Sequence, residues 1–273
     1  MKKNNSVLLS TPYIIWMVVF TLIPLGVVAY YALTDPATGA FSLTNVRELG
    51  SFWGVLGESI AYSLVSALIC LVLGYPVAYF IAHCGETTQK ILYMLVMLPM
   101  CMSFLLRTLA WVGLLEANGI INQLLGRLGI GKLNLIGTPG AVILGMVYNY
   151  LPYMILPLYA IIVKIDNRLI EAAEDLGCTP VQVFSKVVLP LSMPGILSGM
   201  TMVFVPAVST FYISNKLGST ETVLIGDIIE RQFKQGDNAN MGAALSLLLM
   251  ILVFVCTGIM NRFGSKEEGG VVV

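Results

Sequence analysis

Few side chains in this sequence are equipped for bond-making chemistry. Histidine occurs once, at His83, where an apolar run ends. A lone imidazole without partners at ligand spacing does not make a metal site. The five cysteines, Cys70, Cys84, Cys101, Cys178 and Cys256, form no C-x-x-C pair and read as small apolar filler. H-E-x-x-H and G-x-S-x-G are both missing, so a nucleophile–base pair has little to draw on. Gly126-x4-Gly131-Lys132 mimics a phosphate loop, but Leu133 stands where Ser or Thr is needed and no strand precedes it. No catalytic residue, metal or bound cofactor is therefore expected.

Other side chains suit binding. Arg107 is the one charge well inside an apolar run. At the centre of a bilayer it would cost about 2.5–3.5 kcal/mol or more, so it should face protein or a wet path and pair with a carboxylate or helix-end carbonyls. Two readings stay open: a pathway or gate residue, and a clamp between helices. A cationic solute would not rest beside an unpaired arginine. Trp111, Tyr148, Tyr150, Tyr153, Tyr159, Phe211 and Tyr212 could stack on a cationic solute, or could form an interfacial belt or core.

These residues are carried by elements whose solvent is lipid. The 273-residue chain is 57% hydrophobic and 11% charged, with mean hydropathy +0.86. A soluble domain carries about 25% charged residues. The zero net charge gives no pointer to a nucleic-acid partner. A span needs about 20 mostly apolar residues, and six runs qualify: about 12–33, 59–83, 91–115, 139–163, 191–214 and 241–259. The expected architecture is an all-α membrane protein of one transmembrane domain, 1–273. The first run, with Pro24 and Gly26 and no small-residue cleavage site, reads as a retained span. The amphipathic piece INQLLGRLG should lie along the interface. With both termini inside, Lys2, Lys3, Lys90, Lys164, Arg168, Lys186, Arg262 and Lys266 face inward. Arg47, Arg127, Lys132, Lys216, Arg231 and Lys234 face outward, and eight against six favours this orientation. Prolines in the fourth and fifth spans, Pro152, Pro157 and Pro194, free backbone groups that need protein or a wet cavity, so the translocation path is expected there. Gly195 and Gly199 should let the fifth span pack closely on a neighbour, within the bundle or at a subunit interface.

The longest polar interruption, within 164–190, has its own helix signals. Asp166 or Asn167 can cap a start. Leu169, Ile170, Ala173 and Leu176 share a face, and Gly177 marks a left-handed stop. Thr179 restarts the chain with Pro180 and Gln182 in a capping box. Pro190 and Pro194 are expected to break and re-aim the chain into the fifth span. Two short helices around a corner suit a knob for a protein groove; an interfacial connector is the plainer alternative.

Glu171-Ala172-Ala173, three residues, Gly177, nine residues, Val187-Val188-Leu189-Pro190 resembles the EAA signature of ABC-importer permeases, with Val187 in place of the usual Ile. The likeness extends through 103–115, 118–130, 148–166 and 242–250 to the polyamine (spermidine/putrescine) permease branch, nearest the first of its two permease subunits. The resemblance implies a type I importer permease bundle in a bacterial plasma membrane, multi-pass, with cytoplasmic termini. The loop would be a cytoplasmic coupling helix docked in an ATPase cleft through Glu171, Ala172, Ala173, Gly177, Leu189 and Pro190. It further implies a second permease subunit in a heterodimer, two ATPase copies that use the ATP, and an extracellular or periplasmic polyamine-binding protein. Arg107, Trp111, Tyr148, Tyr153, Phe211 and Tyr212 are the candidates for the path. The stretch 206–218 departs from the family's more glycine- and proline-rich version, and related permeases serve other small solutes. A stand-alone secondary transporter, which usually buries several titratable groups, is the less favoured class.

Overall fold

Away from water, backbone N–H and C=O groups must be satisfied within their own segment, so apolar runs fold as helices. In a computed structural model, which describes residues 12–35, 39–129, 131–220, 222–234 and 238–268, every named element is helical. Lys2, Lys3, Pro36 and Ile130, and the side chain of Lys266, lie outside that description. In chain order the helices are α1 (Pro12–Ala32), α2 (Thr44–Glu48), α3 (Trp53–Ala82), α4 (Glu86–Met97), α5 (Phe104–Leu115), α6 (Ile120–Arg127) and α7 (Pro139–Ile162). They continue with α8 (Asn167–Asp175), α9 (Pro180–Val208), α10 (Tyr212–Leu217), α11 (Ile225–Lys234) and α12 (Ala239–Glu268). Among the described residues, six helical stretches are long and apolar enough to cross a membrane. Their outward side chains, such as Val72, Leu106 and Phe254, are apolar and exposed, as a lipid solvent requires.

The chain divides into two compact units. The smaller comprises the chain to Gly54 with Ile228–Leu252. Within it, Ala32 packs on Ala243 and Ala244. A buried polar knot ties the end of α1 to α2 and α12. Asn45 Nδ2 donates to the Thr34 carbonyl at 3.0 Å, and Asn240 Nδ2 donates to the same oxygen at 2.6 Å.

The larger unit comprises Val55–Asp227 and the stretch from Val253. Its most extensive helix pairing is α7 with α9. A Cβ built on Gly195 would lie 3.2 Å from the Pro157 carbonyl oxygen, and one on Gly199 2.6 Å from Met154 Sδ. The glycine pair thus serves packing within this unit. On α3, a stripe of Ser59, Ser63, Ser66, Ala67, Cys70, Gly74 and Ala78 is buried along one face. Each serine hydroxyl finds an acceptor: Val55 O, Ser59 O and Met146 Sδ respectively.

Three spans differ from expectation. The third span is not one helix over 91–115. A 3₁₀ turn at Leu98–Cys101 and extended residues Met102 and Ser103 separate α4 from α5. Pro99 opens that turn, where its missing N–H weakens the α ladder. Each 12-residue helix is about 18 Å long, short of the roughly 30 Å hydrocarbon core; the apolar stretch of crossing length is Phe104–Arg127. The fifth span starts at Pro180 and ends at Val208, not 191–214. Pro190 and Pro194 do not break it: a π turn at Phe184–Val188 lies just ahead of Pro190, and Pro194 sits inside the α-helix that follows. Residues Ser209–Phe211 then interrupt the helix before α10. The second span begins at Trp53, six residues before the expected 59, within a stretch starting at Thr44.

The α7–α9 contact predicts a specific sensitivity. Gly199→Val should destabilise the protein by about 1–3 kcal/mol through overpacking. Gly126→Ala, where nothing lies within 4 Å of a new Cβ, should not. Thermal unfolding in detergent reads both, and equal midpoints for the two variants would contradict the packing.

Candidate functional site

Two places collect the candidate residues. The first is the polar loop. Asp166 Oδ1 accepts from the Arg168 N–H at 3.0 Å and caps α8. Gly177 has φ +82°, the left-handed stop, and Cys178 N–H returns to the Ala173 carbonyl at 3.0 Å. Thr179 N–H donates to Gln182 Oε1 at 2.9 Å, starting α9. The corner is therefore held by local bonds.

The two faces of the loop differ. Ala173, Val183 and Val188 form a buried cluster against Tyr79, Ile165 and Ile170. Phe184 meets Tyr75 and Tyr79 edge-on at 5.5 and 6.2 Å. Glu171, Ala172, Gly177 and Pro190 lie on the exposed side, and Leu189 is half-buried. The exposed side also carries Leu169, Leu176 at 86% exposure and Val181 at 76%. Apolar side chains so displayed on a polar loop make a surface suited to another protein.

The second place lies where the irregularities of three spans meet. Phe104 is the first residue after the break in the third span; Tyr212 is the first of α10, after the break in the fifth. Their rings lie 6.2 Å apart. Phe104 also stacks on Tyr150 at 6.5 Å, and Tyr150 meets Tyr153 at 6.3 Å, with Pro152 between them in sequence. Tyr150 Oη donates to the Pro206 carbonyl near the end of α9. Broken helices expose backbone dipoles of both signs, and the rings offer π faces.

Arg107 lies one turn beyond Phe104, 6% exposed, within electrostatic range of Tyr150. Its Nε and Nη1 are buried and make no hydrogen bond. The expected carboxylate or carbonyl partner is not found among the described residues.

Of the other path candidates, Tyr153 and Tyr212 join the cluster. Trp111 and Tyr148 form a separate T-shaped pair at 5.3 Å. Phe211, the residue before Tyr212, is 40% exposed. Tyr159 belongs near the loop instead, donating to Gln89 Oε1 at 3.2 Å. Sequence reasoning missed Phe104. The available signal was its place three residues before Arg107, hence on the same helical face.

His83 stacks on Tyr79 at 4.2 Å, with Nδ1 2.8 Å from the Tyr79 carbonyl. The phosphate-loop lookalike is a helix end followed by a loop. Asn122, buried, clasps Leu133, and Lys132 Nζ donates to Asn118 Oδ1 at 2.9 Å.

Residues 74–267 match the family described as binding-protein-dependent transport system inner membrane component. The chain is 38% identical over 253 residues to the spermidine/putrescine transport system permease protein PotB of Haemophilus influenzae, with 88% of each chain covered. Its fold is similar to a crystal structure of a bacterial ABC transporter involved in import of the acidic polysaccharide alginate. The TM-score there is 0.81, with 19% identity, 97% of this chain and 96% of that one covered. A second crystal structure, of a bacterial alginate ABC transporter in complex with an alginate pentasaccharide-bound periplasmic protein, gives a TM-score of 0.76 at 18% identity over the same shares. This six-span chain is a multi-pass membrane protein and belongs to the binding-protein-dependent transport system inner membrane components, the permease subunits of ABC importers.

Proposed function

We propose that this permease imports spermidine or putrescine, and that separate ATPase subunits drive it by gripping the 166–190 loop. The observation that carries the reading is the two-faced loop. Its inner face is bonded and packed onto α3, and its outer face presents Glu171, Ala172 and Gly177 among exposed apolar side chains. The 38% identity with a spermidine/putrescine permease supports the solute class. In this reading the termini and the loop are cytoplasmic. A second, different permease subunit completes the path, two ATPase copies consume the ATP, and a periplasmic polyamine-binding protein delivers the solute.

The cycle then works as follows. ATP binding draws the ATPase subunits together and moves the docked loop. Helix α9 begins in that loop and ends beside the aromatic cluster, so the displacement reaches the broken ends of the third and fifth spans. Phe104, Tyr150, Tyr153 and Tyr212 stack on ammonium groups as the path opens. The uncompensated Arg107 keeps polycations from settling there, a charge barrier that the moving helices must shift.

The coupling test is reconstitution of the whole importer in proteoliposomes. Gly177→Val forces a β-branched residue into a left-handed conformation and should lower ATP-driven spermidine uptake by about tenfold. Gly177→Asn, which tolerates that conformation, should retain most of it. Wild-type uptake in Gly177→Val would contradict the coupling role.

Arg107→Gln separates barrier from clamp. Severing a buried ion-pair clamp costs about 3–5 kcal/mol. A charge barrier predicts an almost unchanged unfolding midpoint together with altered spermidine uptake kinetics. A collapse of the midpoint would restore the clamp.

A further inference from the structure

Helix α6 is fastened to the larger unit along one side. The turn into it is tight: a Cβ on buried Gly119 would lie 2.5 Å from the Leu114 carbonyl oxygen, so the chain comes back onto the end of α5 before α6 begins. Ile121 packs on the main core, and Leu125 is half-buried. Buried Asn122 makes three bonds. Its Nδ2 donates to the Glu116 and Leu133 carbonyls, each at 3.0 Å, and its Oδ1 accepts from the Leu133 N–H at 2.9 Å. These contacts fix the rotation of α6 about its own axis, and with it the side chains turned outward.

The outward face is divided lengthwise. Ile120, Leu124 and Leu128, four residues apart, form an exposed apolar strip, with Leu128 75% exposed. Gln123 and Arg127, also exposed, form the adjoining strip. Lys132 Nζ is held against Asn118 Oδ1, just before the helix starts, so the two cations stand near its two ends. Neither Arg127 nor Lys132 forms an ion pair among the described residues. The sequence has no Asp or Glu between Glu116 and Asp166. An apolar strip beside a basic one suits a helix lying in the plane of a bilayer surface, with alkyl groups at the acyl boundary and cations among phosphates. Basic residues are disfavoured on the outer side of a membrane protein, and there they would repel an incoming polycation. Two uncompensated cations in such a place point to a fixed anionic partner.

We infer that α6 is a binding site for anionic phospholipid of the outer leaflet. Ile120, Leu124 and Leu128 enter the acyl boundary, and Arg127 and Lys132 take the phosphates. The choice of leaflet rests on the polyamine-importer reading, in which the 166–190 loop is cytoplasmic; the contact with lipid does not. Held in this way, α6 pins the neighbouring end of α5 to the membrane surface. Displacement arriving at Phe104 is then taken up in the Leu98–Ser103 break and not by sliding of α5.

The test uses the complete importer in vesicles of equimolar phosphatidylglycerol and phosphatidylcholine. The photo-crosslinking variants Leu124→p-benzoylphenylalanine and Leu128→p-benzoylphenylalanine are irradiated, and their adducts are identified by mass spectrometry. Both should join phospholipid, with phosphatidylglycerol exceeding phosphatidylcholine at least fivefold. Adding Arg127→Gln should cut that ratio about fivefold, the effect of one basic side chain near an anionic surface, while phospholipid adducts persist. Adducts with the second permease subunit or the binding protein in place of lipid would overturn the site, as would equal adducts with the two lipids. If one variant fails to assemble, the other decides. If both fail, the lipid retained by wild type and by Arg127→Gln in native mass spectrometry decides, equal phosphatidylglycerol in the two overturning the site. The adducts form whichever leaflet α6 occupies. A failed orientation shows separately, as reaction of Lys132 with an impermeant amine reagent only from inside sealed cells, and would overturn the leaflet while the lipid contact stands.

Discussion

The close approach of α9 to α7 is the contact on which the larger unit depends. Lipid supplies no hydrophobic drive between helices, so association rests on packing, and packing requires backbones to come near. Gly195 and Gly199 allow that approach, setting α9 against Met154, Pro157 and Ile161. The small-residue stripe of α3 serves the same end against α7, where Gly74 faces Met154 and Ile155. Met154 thus contacts α3 on one side and α9 on the other. The hydroxyls of Ser59, Ser63 and Ser192 in these seams donate to local carbonyls and are left with no unmet donor.

A packed strut has a mechanical consequence. Helix α9 starts at the loop corner and ends beside Tyr150, and its side chains are wedged against α7 along the way. Interiors packed to this degree switch between arrangements and do not bend continuously. The irregular backbone is concentrated at Leu98–Ser103 and Ser209–Phe211, next to the aromatic cluster. A stiff element that feeds two interrupted ones localises displacement at the interruptions. Arg107, with buried donors unbonded, stands where that displacement would be felt.

Local chemistry was legible in the sequence. Asp166, Gly177 and the Thr179–Gln182 pair act over a few residues, and the loop forms the capped corner they specify. The fourth span, opened by Thr138 and Pro139, falls within a residue of its expected end. The third and fifth spans misled because hydropathy counts apolar residues and is blind to the ladder beneath them. Met102 and Ser103 are extended in the middle of an apolar run. Proline is equally ambiguous: Pro99 precedes a break, while Pro190 follows a π turn in a stretch that stays helical. The cluster around Phe104 was invisible for another reason. It joins residues 104, 150 and 212, and only the tertiary fold brings them together.

The central claim is that α9 carries the loop's motion to the cluster as one rigid piece. Spin labels at the exposed positions Val181 and Met202, 21 residues apart in sequence, test it in the assembled importer by pulsed electron–electron double resonance. A straight helix puts them about 31 Å apart. The account predicts the same distance with and without ATP. A shortening by several ångströms on adding ATP, marking a bend at the Phe184–Val188 turn, would contradict it.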